Sequence, residues 1–92
     1  MNSVIIFDVT NNATALVVEK MITKGYYKNW KNENKIVNLP HNIVWKPNTE
    51  STLAVQDIKE AVEIVNSTIP CKLLRCVVLN STPWRAMFGT PI

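Results

Sequence analysis

SVIIFDVT, residues Ser3 to Thr10, is the segment from which the rest of this 92-residue chain takes its place. Val4, Ile5, Ile6 and Phe7 form an unbroken apolar run, the pattern of a strand covered on both faces and set in the middle of a sheet. Asp8 breaks that run just before the polar turn Thr10-Asn11-Asn12, so a carboxylate stands near the carboxyl end of the central strand.

Beyond the turn, Asn11 or Asn12 is placed to cap a helix in which Ala13, Leu16, Val17, Met21 and Ile22 recur at helical spacing. Lys20 and Lys24 before Gly25 are a C-terminal signature, through the helix dipole and the left-handed cap. Tyr26 to Lys31 has strand propensity. Ile36 to Leu39 runs into Pro40, which has no amide hydrogen for a ladder, and so reads as an edge segment or extended loop. Asn42 to Lys46 is the next strand, with Ile43 and Trp45 on one face; pairing of Ile36–Leu39 with Ile43–Trp45 across Pro40-His41-Asn42 is equally allowed. Ser51 or Thr52 is placed to cap a second helix with Ala54, Ile58, Ala61, Val62 and Val65 on one face, bounded by Pro70. Cys71 to Asn80 is the last strand, apolar at nearly every position.

Strand, helix, strand, strand, helix, strand is the order of a ferredoxin-like β-α-β-β-α-β unit. It predicts an α+β sandwich with both helices on one face of a four-stranded antiparallel sheet. Ile6, Leu16, Ile58, Val62 and Val77 are then expected between helices and sheet. Residues 1–80 make this domain. Residues 81–92 carry Trp84, Met87 and Phe88, apolar area expected to pack on the sheet or to form the interface of a homodimer.

Composition is globular, with 47% apolar and 18% charged residues and a net charge of +3. No run approaches a membrane span and no secretory signal opens the sequence, so a cytoplasmic protein is expected. Cys71 and Cys76, an odd number apart on one strand, are expected on opposite faces and reduced. The charge is concentrated: from Lys20 to Lys46 six lysines (Lys20, Lys24, Lys28, Lys31, Lys35, Lys46) face only Glu33, giving +5 against a chain total of +3. Tyr26, Tyr27 and Trp30 are interleaved. Lysines that neutralise phosphate beside aromatics that stack bases are the footprint of an RNA or DNA partner; lysines solvating a surface over core aromatics are the other reading. Asp8 likewise has two readings, a ligand for a divalent ion or an acceptor at the start of the next helix. His41 has no second His or spaced carboxylate, and two glycines do not make a phosphate cradle.

The first strand ending in Asp8, the helix ending in KGYYKNW, the stretch NLPHNIVW and the closing PWRAMFG together resemble the small CRISPR-associated adaptation nucleases and their relatives, among them antitoxin endoribonucleases of the GhoS type. The resemblance implies a ferredoxin-like homodimer in which Asp8 holds Mg2+ or Mn2+ and metal-activated water cleaves a phosphodiester. Active members often place basic residues early in the next helix, and Asn11 to Glu19 has none. Two functions therefore stand: a nucleic-acid-associated endoribonuclease-like protein, and a non-catalytic regulatory or accessory dimerisation module.

Overall fold

A computed structural model describes residues 2–32 and 35–81. Trp84, Met87 and Phe88, and with them the expected dimer interface, lie outside the described residues. The chain runs β1 (Asn2–Val9), α1 (Thr14–Thr23), β2 (Asn29–Asn32), β3 (Lys35–Asn38), β4 (Ile43–Lys46), α2 (Ser51–Asn66) and β5 (Leu73–Ser81). It is a small α+β protein with two helices and antiparallel strand pairing.

β1 is central, between β4 and β5, as expected, but the expected cover on both of its faces is not found, since only alternate residues of the run are buried. The expected four-stranded sheet is instead a three-stranded one, β4-β1-β5, with a separate hairpin of β2 and β3. The reason lies in Tyr26 to Lys31. Only Tyr27 bridges to β4, opposite Trp45, and from Asn29 onward the backbone pairs with Lys35–Asn38 instead. Ile36 to Leu39 is thus a strand partner of β2 rather than an edge of the main sheet, and it does not pair with Ile43–Trp45.

The two faces of the sheet differ in cover. Ser3, Ile5 and Phe7 of β1 point to the helices and are buried, whereas Val4, Ile6 and Asp8 point to the other face and are half-buried. The core joins Ile5, Phe7 and Val44 to Val17, Val18 and Met21 of α1 and to Ala54, Ile58, Ala61, Val62 and Val65 of α2. The α2 face is the one its spacing predicts. Three other core expectations are corrected. Ile6 is on the uncovered face, Val77 opposite it is 52% exposed, and Leu16 lies outside the α1 stripe at 36%. A run such as VIIF carries no alternation, so it does not reveal which of its residues face the helices.

The polar residue that marks the covered face is Ser3. It is fully buried and donates its hydroxyl to the carbonyl of Thr49 at 2.7 Å. Asn80 donates to Ser3 Oγ at 2.7 Å, and its Oδ1 accepts the Ser51 N–H at the start of α2. Three segments far apart in sequence are thereby joined, and each buried polar group finds a partner. Neither Ser51 nor Thr52 is the cap: the N-cap residue of α2 is Glu50, and no side chain of its own closes that end. Asn11 and Asn12 do not cap α1 either, whose N-cap is Ala13. Both adopt left-handed backbone in the turn, and Asn11 donates to the Pro70 carbonyl.

α1 ends as Gly25 predicts. Tyr26 N–H reaches back to Met21 O and Gly25 N–H to Ile22 O, the paired bonds of a left-handed cap, with Gly25 at φ +95°. A β-carbon there would also come within 3.2 Å of Lys46 Cε. At the other end of the sheet a bulge opposite Asp8 and Val9 shifts the register of β5, which begins at Leu73. Cys71 therefore precedes the strand, and the expectation of opposite faces fails: Cys71 lies in the core and Cys76 packs against it. Both thiols are free, and burial pushes their pKa values up, so they stay protonated. Among the described residues no helix is long and apolar enough to cross a membrane.

Candidate functional site

Trp45 organises the uncovered face. Alternation along β4 puts Val44 into the core and Trp45 beside Val4 on the open side. Tyr27 is fixed next to it by the backbone: Tyr27 N–H donates to Trp45 O at 2.8 Å and Trp45 N–H to Tyr27 O at 3.0 Å. Their ring centroids are 5.3 Å apart at 33°. Trp30, on the first strand of the hairpin, meets Trp45 edge-on at 5.2 Å and 66°. The indole Nε1 of Trp45 donates to the Asn29 carbonyl at 2.6 Å, which ties the hairpin to the sheet. Aromatic pairs at these separations hold one another in place, so the cluster is preformed. Tyr27 remains 51% exposed.

The sequence-predicted lysines divide into two groups. Lys28, Lys31 and Lys35 are exposed on the segment that carries Tyr27 and Trp30. Lys24 is engaged with Glu60 at 2.7 Å, and that hydrogen bond raises its pKa above the ordinary lysine value. Lys46, opposite Ser3 and hence on the helix side, stands 5.4 Å from the centroid of the Tyr26 ring. Lys20 is half-buried in the last turn of α1. Tyr26 itself is core: its hydroxyl donates to Asp57 at 2.9 Å, and burial, then that bond, pushes its pKa well above the usual tyrosine range. Neighbouring tyrosines thus have opposite fates, Tyr26 inside and Tyr27 outside.

Asp8 is neither a helix cap nor part of a carboxylate cluster. It faces the open side and pairs with Arg75 directly across the strand. Within one chain this donor set does not fit a divalent ion. Asp8 has a guanidinium where a second carboxylate would be needed, and among the described residues no three His, Cys, Asp or Glu side chains are grouped to hold a metal. No chemical step is therefore derived through Mg2+ or Mn2+.

A groove of about 630 Å3 lies apart from the cluster, between α1 (Val18, Glu19, Ile22) and the segment holding Leu39 and His41, with Lys28 beside it. His41 is an exposed turn residue that lines this groove.

Two contributors escaped the sequence reading. Trp45 is the hub of the aromatic cluster, and its alternation with Val44 was the available signal. Arg75 is the partner of Asp8, and only the strand register reveals it. No family model matches the chain, and no curated protein and no solved structure does.

Proposed function

We propose that this protein binds single-stranded RNA or DNA on the Tyr27–Trp45–Trp30 surface, with Lys28, Lys31 and Lys35 contacting the phosphates. The observation that carries the reading is Tyr27. A half-exposed aromatic ring, locked by backbone hydrogen bonds and a neighbouring indole, presents a flat apolar surface to which a base can stack without first ordering the side chain. The architecture behind it is a ferredoxin-like one, in which the order β5-β1-β4 is continued on the far side of β4 by Tyr27 in place of a full fourth strand. The resemblance to CRISPR-associated and antitoxin nucleases agrees with a nucleic-acid partner, and the pairing of Asp8 with Arg75 favours binding over cleavage.

Fluorescence anisotropy with labelled single-stranded RNA, single-stranded DNA and duplex of one sequence, titrated over a range of salt, tests the reading. Single strands are expected to bind more tightly than duplex. Tyr27→Ala should cost about 1–3 kcal/mol if one base stacks there. Lys28→Ala with Lys31→Ala should flatten the salt dependence by about 0.7 for each phosphate no longer neutralised. No binding at low salt, or binding indifferent to Tyr27→Ala, would remove the proposal. The same oligonucleotides incubated with Mg2+ or Mn2+ are expected to stay intact. Cleavage that needs the metal and vanishes in Asp8→Asn would make the protein a nuclease instead.

A further inference from the structure

The uncovered face of the sheet holds a second feature, which meets the aromatic cluster at Trp45. Val4 stands opposite Leu79 and Ile6 opposite Val77, two apolar rows that β4 extends with Trp45 and Ile43. The Asp8–Arg75 ion pair closes the patch at one end and the Asn2–Ser81 pairing at the other. Val77 and Leu79 are 52% and 51% exposed. Isolated exposed valines and leucines are ordinary; a bounded array across three strands asks for cover.

We propose that this patch is the docking surface of residues 82–92 of the same chain. Position supports it, because β5 pairs Ser81 with Asn2 beyond the Leu79 row, so the following segment starts at the margin of the patch. Composition supports it too: TPWRAMFGTPI carries Trp84, Met87, Phe88 and Ile92 with Arg85 as its one charged side chain. Reach is ample. Eleven residues extend to roughly 36 Å at about 3.3 Å each, and three strands at a spacing near 4.8 Å span only about 14 Å.

Size separates this occupant from a second copy of the chain. Two rows across three strands make a footprint of roughly 14 by 14 Å, about 200 Å2. A stable protein–protein interface uses about 800 Å2 on each partner. The patch alone is thus too small to hold two copies face to face, yet it matches one extended segment. Cover confined to the β1–β5 side leaves Tyr27, beyond β4, accessible; Trp45 borders both surfaces, and separate readouts tell the two proposals apart, contacts from residues 84–88 for the tail and affinity in Tyr27→Ala for nucleic acid.

Methyl-based NMR on the full chain tests it. Nuclear Overhauser effects are expected from the Met87 methyl and the Trp84 ring to the methyls of Val77 and Leu79. They should be absent from the interchain-filtered spectrum of a mixed labelled and unlabelled sample. Leu79→Glu, a change on the outer face that spares the core, should speed amide exchange at residues 84–88 by about tenfold or more. Effects seen only between chains would assign the patch to a second copy and overturn the proposal. Absence of any such effect, or exchange unchanged in Leu79→Glu, would overturn it as well, and the wild-type spectrum decides the matter should the variant not fold.

Discussion

The helix-covered and uncovered faces of the β4-β1-β5 sheet are built from nearly the same β-branched and aromatic alphabet, yet they do different work. Ile5, Phe7 and Val44 are sealed beneath α1 and α2; Ile6, Val77 and Trp45, one residue out of step with the covered set, are not. What separates the faces is the position of the helices, and with it the phase of each strand. The covered face supplies stability, and the other is the one proposed to meet partners. Adjacent tyrosines show the same split, since Tyr26 is hydrogen-bonded in the core while Tyr27 is presented outward.

The contrast is broken most forcefully from the covered side. Ile58→Ala should destabilise by about 2–5 kcal/mol, because a buried isoleucine loses its transfer free energy and leaves a cavity; chemical denaturation measures it, and a loss below about 1 kcal/mol would displace Ile58 from the core. The same substitution on both faces gives a sharper comparison. Val44→Thr buries a hydroxyl in an apolar layer and should cost about 1–3 kcal/mol, whereas Val77→Thr, which no helix covers and only the docked tail would reach, should cost less, about 1 kcal/mol. Equal losses would mean that the two faces are equally dry. The smallest effect belongs to the tyrosine pair. Tyr26→Phe removes one hydrogen bond to Asp57, worth about 0.5–1.5 kcal/mol, and Tyr27→Phe should leave stability unmoved.

The tyrosine pair also has a pH signature. The folded protein holds the Tyr26 phenol neutral, by burial first and the Asp57 bond second, so its folded pKa lies above the unfolded value of 10.0. On raising the pH the unfolded chain loses that proton first and binds fewer protons than the native state, so stability must fall. The contribution is fully present below about pH 10 and is lost above it. Wild type is therefore expected to lose stability more steeply than Tyr26→Phe in alkaline melts, and parallel curves would place Tyr26 in water.

Helical periodicity made much of the covered face legible. Ala54, Ile58, Ala61, Val62 and Val65 recur at spacings that only one helix face satisfies, and all five are buried. Gly25 announced the end of α1 because its left-handed backbone excludes most side chains. The strands were legible in existence but not in phase. VIIF offers an apolar residue to either face, and the deciding residue was the polar Ser3, whose burial depends on Thr49 and Asn80. The cysteine geometry failed because a bulge changes the count of residues along a strand without leaving a mark in composition. For the candidate site, Lys28, Lys31, Lys35, Tyr27 and Trp30 were marked by charge and aromatic interleaving. Engagement of Lys24 by Glu60 came from a helix 36 residues away, and local spacing does not reach that far.

The central place of β1 also sets the order in which this protein is able to fold. Its two neighbours, β4 and β5, lie some 40 and 75 residues downstream, so the strand that the whole sheet needs waits for both of its partners. Each pairing closes a long loop before any reward is collected, which slows folding relative to a chain of local hairpins and helices. Until β5 pairs with it, one edge of the VIIF run has no ladder and stands open to pairing with another chain.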